Sequence, residues 1–382
     1  MRKIGCVLLV MVLLVLALPS KAWAVDLNVA GKSAVLMDAA TGSVLYEKNA
    51  HEPLAPASVT KVMTMLLIME AIDSGKIGWN DMVTASETAA AKGGSQVYLK
   101  AGETMSVTDM LKSIAVSSAN DCACAMAEHI AGSESAFVDL MNKRAKELGM
   151  NDTHFVNCTG LDDDPEAKNH VTSAYDIALM SRQLLTNHPE IKKFTTIWMD
   201  TIRDGAFGLS NTNKLVRFYQ GCTGLKTGFT SAAGYCLSAS ACRDGLELIA
   251  VVMGAESSAD RFQSCKQMLD YGFANFALVE PELAEGKTVK VTLGTAGAVT
   301  AIPAEIPKLL VDKAQRGDVK TEIALEAEVA APVSKGQRLG TLTIKAGDQV
   351  LSQVPMIAGE AVPKLTWWQI FLQLLQRITM AA

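Results

Sequence analysis

Hydrophobic positions change their spacing several times along this chain, and each change marks a unit. From Ile4 to Leu18 almost every residue is apolar, led by Arg2 and Lys3 and followed by Ala22-Trp23-Ala24. A cationic start, an apolar run and an A-x-A site predict a signal peptide over residues 1–24. Ser33 to Glu47 holds two short β-prone runs around Thr41-Gly42, which predicts a hairpin. Val59 to Ile72 is again almost continuously apolar, but it is rich in Met and Leu and too long for a strand. It predicts a helix buried on all sides. Helical patterns continue to about Leu185, and two further β-prone runs then flank Arg243-Asp244-Gly245, a second hairpin signal. The two hairpins are expected to join in one antiparallel sheet with the helices packed on it.

After about Tyr271-Gly272-Phe273 the character changes. Lys287 to Val362 alternates Val, Thr and Ile with charged residues between Gly-rich turns, the pattern of a small β domain. Beyond Pro363 helical spacing returns, with Trp368, Phe371, Leu372, Leu375 and Ile378 on one face and Thr366, Gln369, Gln373, Gln376 and Arg377 on the other. Such a helix is roughly 25 Å long, and its Gln stripe would be costly in hydrocarbon. It is expected to lie in a membrane interface with Trp367 and Trp368 near the headgroups, the other reading being a docked helix or oligomer contact. The chain thus reads as α+β, in four pieces: a signal peptide (1–24), a main domain (25–275), a small β domain (285–362) and an amphipathic helix (363–382).

Charge and composition narrow the function. The 382 residues carry a net charge of −5, and removal of the signal peptide takes away Arg2, Lys3 and Lys21 and no acid, leaving −8. An acidic exported protein is not expected to bind nucleic acid through bulk charge. Cys6 leaves with the signal, and the seven remaining cysteines, an odd number, sit mostly in apolar contexts where free thiols are at home. One disulfide stays open, with no pair singled out. The five histidines form no H-E-x-x-H or other zinc spacing, so no metal or cofactor is expected, and no G-x-S-x-G elbow appears. His170 follows the Gly160-Leu161-Asp162 loop, which leaves a place close to the site open, but it reads first as a histidine of a surface loop.

Three strings carry the candidate chemistry: Ser58-Val59-Thr60-Lys61, Ser118-Ala119-Asn120 and Lys226-Thr227-Gly228. Ser58 heads the buried helix, and Lys61 lies one turn above it on the same face. A serine hydroxyl needs a base to take its proton. Lys61 can be that base if burial and a second cation, Lys226, keep it neutral part of the time. Taken alone, the same string suits a capping Ser with a snorkelling Lys. Ser118 and Asn120 fall between two helical patterns, where a plain turn with Asp121 capping the next helix fits as well. Lys226-Thr227-Gly228 belongs to a strand leading into the second hairpin. Its lysine and hydroxyl suit a carboxylate, and its glycine suits close approach of a substrate backbone.

The ordered triple S-x-x-K, S-x-N, K-T-G resembles that of low-molecular-mass penicillin-binding proteins, serine-type D-Ala-D-Ala carboxypeptidases that trim peptidoglycan. Gly160-Leu161-Asp162, the run from Lys226 through Tyr235, and Met253-Gly254-Ala255 followed by Arg261 extend the likeness. The resemblance implies a penicillin-binding/β-lactamase-like antiparallel sheet with a helical cluster. It implies acylation of Ser58, Lys61 as base, Ser118 as proton relay and Asn120 on the substrate amide. The oxyanion hole would be the N–H groups of Ser58 and Phe229, with Lys226, Thr227 and Gly228 on the substrate and Arg261 near its terminal carboxylate; the other reading of Arg261 is an exposed helix-start residue. Stem peptides and β-lactams would be the ligands, outside the cytoplasm. Ala119 stands where many relatives carry Gly or Asp, but its side chain is not the chemical part of the motif. No E-x-x-L-N string appears, and Glu147-Leu148-Gly149 lacks the needed Asn, so rapid penicillin hydrolysis is not expected. A transpeptidase, a weak β-lactamase, and a catalytically poor wall-organising or penicillin-sensing protein are the rival readings.

Overall fold

The computed structural model describes residues 27–163, 165–282 and 287–372. The expected signal peptide and the tail beyond Leu372 lie outside them. The main sheet has five strands: β1 (Ser33–Asp38), β2 (Val44–Lys48), β3 (Cys222–Thr230), β4 (Gly234–Arg243) and β5 (Leu246–Ala255). Their order is β2-β1-β5-β4-β3, antiparallel throughout, so the two hairpins do share one sheet. Asp244 and Gly245 turn β4 into β5 with φ of +50° and +80°, the left-handed pair that an Asp-Gly turn supplies.

Alternation sends the side chains of β1 to two separate cores. Val35 and Met37 face one side with Ile249, Val251 and Met253. Ala34 and Leu36 face the other with Leu248, Ala250 and Val252. The first side carries the helical cluster: α1 (Lys61–Asp73), α2 (Val107–Ser117), α3 (Asn120–Ala131), α4 (Glu134–Glu147) and α5 (Ala174–Asn187). The second side carries α6 (Ser258–Asn275), through Cys265, Met268, Leu269 and Phe273. Ten of the thirteen residues of α1 are buried, which is why its sequence has no polar face. Ser106, Ser133, Ser173 and Ser257 start α2, α4, α5 and α6 by accepting a backbone N–H, each such cap contributing about 1 kcal/mol.

The chain leaves α6 straight into a strand, Phe276–Val279, which pairs with Leu309–Asp312. The remaining β domain is a six-stranded sheet of β6 (Thr288–Thr292), β7 (Ala298–Pro303), β8 (Val319–Leu325), β9 (Glu328–Ala330), β10 (Arg338–Ala346) and β11 (Gln349–Ala358). Their order is β8-β10-β11-β7-β6-β9, around a core that includes Val289, Leu342, Ile344 and Met356. It contains none of the three motifs. Residues 367–372 are helical, with Trp367, Trp368, Phe371 and Leu372 exposed, and among the described residues no helix is long and apolar enough to cross a membrane.

Candidate active site

Residues Ala57–Thr60 form a single 3-10 turn that runs directly into α1. That turn puts Ser58 one step below Lys61, and Lys61 Nζ donates to Ser58 Oγ at 3.0 Å. Its second acceptor is the carbonyl of Thr159 at 2.8 Å, in the loop that carries Gly160-Leu161-Asp162. Lys61 is fully buried and Ser58 makes no capping bond, so the alternative of a capping Ser with a snorkelling Lys does not describe this turn. Burial pulls the Lys61 pKa down to about 7, against the opposing pull of Cys158 and Asp121. Lys226 is also fully buried, and its Nζ donates to its own strand at the Thr227 carbonyl, 3.0 Å away. Burial, then Lys61 and Arg261, push its pKa well below the ordinary lysine value. Repulsion between two buried cations acts on both, and burial is the larger cause for each.

Lys226-Thr227-Gly228 lies on β3, an edge strand of the sheet, whose inner neighbour is β4. A Cβ on Gly228 would sit 2.6 Å from the Pro56 carbonyl and 3.1 Å from the Ser58 and Val59 nitrogens. The chain's own Ser58 turn thus makes a close approach that needs a glycine here. The same contact brings β3 alongside the Ser58 N–H. Phe229 follows, an exposed residue whose ring leans on Tyr235.

Ser118 caps the end of α2 with φ +64°, and Asn120 opens α3. Asn120 Nδ2 donates to Gly93 O at 2.7 Å, while its Oδ1 is buried without a partner among the described residues. Asp121 is not a helix cap. Its carboxylate receives the N–H groups of Val97 and Leu99 and so holds the 97–99 segment on α3. Thr212 ties this corner to the third motif, with its N–H on Val116 O at 3.2 Å and its hydroxyl on Thr227 Oγ1 at 2.7 Å. Nothing in the sequence pattern marked Thr212, because its role depends on two distant segments meeting.

Arg261 starts α6 but is only 8% exposed, so the reading as an exposed helix-start arginine fails. Its Nη1 donates to the carbonyls of Gly228 (2.8 Å) and Cys236 (3.3 Å), which fastens β3 and β4 from behind. His170 is the clearest departure from expectation. It is buried, 3% exposed, with Nε2 against Thr60 Oγ1 and Nδ1 receiving the Val156 N–H. The segment that carries His170 is held by the Leu54–Thr172 and His154–Val171 bridges and by the bonds of the ring itself, which bury a side chain that the local sequence marks as exposed. All seven described cysteines are free thiols, and among the described residues no group of three or more His, Cys, Asp or Glu is placed to hold a metal ion.

The arrangement is that of an acyl-transfer site: a hydroxyl bonded to a desolvated amine, backbone N–H groups beside it, and a buried cation on a neighbouring strand. Comparison with known proteins agrees. Residues 20–257 match the D-alanyl-D-alanine carboxypeptidase family, and residues 277–364 match the C-terminal domain of penicillin-binding protein 5. The chain is 46% identical over 340 residues to D-alanyl-D-alanine carboxypeptidase DacF of Bacillus subtilis (strain 168), covering 87% of this chain and 86% of that protein. Penicillin-binding protein 5 of Haemophilus influenzae superposes with a TM-score of 0.76 at 30% identity, over 91% of this chain and 100% of that one. The ampicillin-bound penicillin-binding protein D2 of Listeria monocytogenes superposes with a TM-score of 0.59 at 33% identity, over 67% of this chain and 100% of that one. The chain belongs to the D-alanyl-D-alanine carboxypeptidase family, the serine enzymes among the low-molecular-mass penicillin-binding proteins.

Proposed function

We propose that this enzyme removes the terminal D-Ala of peptidoglycan stem pentapeptides through an ester on Ser58, and that β-lactams acylate the same oxygen. The 3.0 Å bond between Lys61 and Ser58, made by a lysine that burial keeps partly neutral, carries this reading. Ser58 Oγ attacks the penultimate D-Ala carbonyl carbon and gives its proton to Lys61 Nζ. Ser118 passes a proton to the departing amine nitrogen of the last D-Ala as the peptide bond breaks and takes the proton held by Lys61 in its place, which returns Lys61 to the neutral amine. Water then attacks the ester carbon, its proton goes to Lys61, and Ser58 recovers its hydroxyl. The N–H groups of Ser58 and Phe229 would hold the oxyanion. Asn120 would hold the substrate amide, where its unpartnered Oδ1 can accept an N–H. Lys226 and Thr227 would take the terminal carboxylate. Arg261 would act on that carboxylate through β3, because its Nη1 bonds end on strand carbonyls while its Nη2 turns to Ser258 Oγ at 3.5 Å.

Product analysis on a pentapeptide, with and without an added amine, tests the reaction. Free D-Ala and tetrapeptide in both cases are expected, whereas transfer of the acyl group to the amine as the main product would make the enzyme a transpeptidase.

Export and attachment to the outer face of the membrane complete the proposal. Residues 1–24 would be cleaved, and residues 363–382 would lie in the interface. The four exposed apolar side chains of residues 367–372 support this, each contributing roughly 1.5–3 kcal/mol if fully withdrawn from water. Removal of residues 363–382 should release the processed protein from membranes and leave hydrolysis of a soluble peptide unchanged. A truncated protein that still sediments with membranes overturns the anchor. One that turns soluble and loses activity means that the tail docks on the catalytic domain.

A further inference from the structure

The turn that presents Ser58 is strained. Ala57, immediately before it, has φ +49°, a left-handed conformation that alanine disfavours. The Ala57 carbonyl faces Gly160 so closely that a Cβ there would lie 1.8 Å from the oxygen. What holds this turn is a chain of side-chain bonds with one direction. His170 Nδ1 receives the N–H of Val156 at 3.0 Å and, less directly, that of Asn157 at 3.4 Å, so that nitrogen carries no proton. The neutral ring therefore has its proton on Nε2, which donates to Thr60 Oγ1 at 2.8 Å. The single hydroxyl proton of Thr60 goes on to the Ala57 carbonyl, also at 2.8 Å.

The other side of the same ring reaches the lysine. Val156 and Asn157 begin the loop whose Cys158 carbonyl accepts the Thr64 hydroxyl of α1 at 2.6 Å and whose Thr159 carbonyl accepts Lys61 Nζ. We propose that His170 is a positioning residue: it clamps the Ser58 turn to the loop that holds Lys61, and so fixes the distance across which the proton moves. Burial in the first place, with His154 and Lys61 adding to it, lowers the His170 pKa to about 4, in keeping with a ring that stays neutral and keeps one tautomer.

The proposal rests on the acyl-enzyme reading above, and its test separates the two. The full chain is compared with His170→Phe, His170→Gln, Thr60→Val and the His170→Phe/Thr60→Val double variant, using a fluorescent penicillin in rapid-mixing experiments. His170→Phe and Thr60→Val should each slow covalent capture roughly 10- to 100-fold, with little change in the preceding dissociation constant. The double variant should be within about threefold of the slower single one, because both remove the same link. Glutamine can accept at Oε1 and donate at Nε2, so His170→Gln should recover most of the rate. Capture by His170→Phe and Thr60→Val at the unaltered rate overturns the clamp, as does a double variant in which the two losses multiply. A glutamine variant as slow as the phenylalanine one also counts against it. If His170→Phe does not fold, Thr60→Val carries the test alone, since it removes one hydroxyl from the far end of the same link. Nitrogen-15 NMR of His170 in the unaltered chain checks the bond independently of acylation: a protonated Nε2 and bare Nδ1 are expected, and the opposite tautomer removes the basis of the proposal. Absence of any capture by the unaltered chain, with the expected tautomer in place, overturns the acyl-enzyme reading instead.

Discussion

A chain carrying Ser58→Ala will form no covalent adduct with penicillin and will still unfold as an intact protein. Among the described residues, Ser58 supplies the one hydrogen-bond acceptor of Lys61 Nζ besides the Thr159 carbonyl. Without it the amine keeps one acceptor, so the loss amounts to a single partly exposed hydrogen bond, about 1 kcal/mol. The chemical loss is total, because among the described residues no other hydroxyl is hydrogen-bonded to a buried amine heading a core helix. Mass spectrometry after incubation with penicillin reads the result directly, and a stable adduct on the alanine variant would mean that the nucleophile is another residue. Lys61→Arg should be almost as damaging. A guanidinium cannot release its proton in a protein, and it is too large for a fully buried site.

Between pH 5 and 7, kcat/KM on an N-acylated reporter peptide ending in a free D-Ala-D-Ala carboxylate should climb roughly tenfold per pH unit and then level off. The sign follows from the role of Lys61, which accepts a proton only when neutral. Its pKa of about 7 puts half the enzyme in that form near neutrality, and acid empties it. An ordinary lysine would keep the rate climbing to pH ~10. If that longer climb is what is measured, Lys61 is charged at neutral pH and the proton must leave Ser58 by another route, with Ser118 the candidate to test.

Much of this architecture could be read from the chain because its cues are local. An unbroken apolar run has only one place to go, and ten of the thirteen residues of α1 went to the centre of the helical cluster. The Asp-Gly turn fixed the β4–β5 hairpin, and alternation marked the β domain. The three motifs could be read because each side chain in them has a fixed spacing on its own element. What sequence did not disclose was how the motifs touch. Gly228 serves the Ser58 turn, Arg261 serves strand carbonyls, and Thr212 bridges α2 to β3. Each of those roles depends on segments far apart in the chain. His170 failed in the same way: a polar residue in an irregular segment looks exposed until the segment folds over it.

The two buried lysines also place the catalytic cleft in the stability of the whole domain. On unfolding, Lys61 returns from about 7 to its free value of 10.5 and takes up a proton, a penalty to the native state on the order of 5 kcal/mol. That penalty is fully present below pH 7 and lifts only as pH rises toward the free value, since the folded pKa is the lower one. Lys226, shifted in the same direction, adds to it. The offset lies in the helix that carries Lys61. Two or three of its neighbours Met63, Met65, Leu66, Ile68 and Met69, each contributing roughly 1.5–3 kcal/mol on burial, balance one discharged lysine. A helix without a polar face is thus the counterweight of the active site, and trimming one of those methionines to alanine would weaken the cleft's support without touching the cleft.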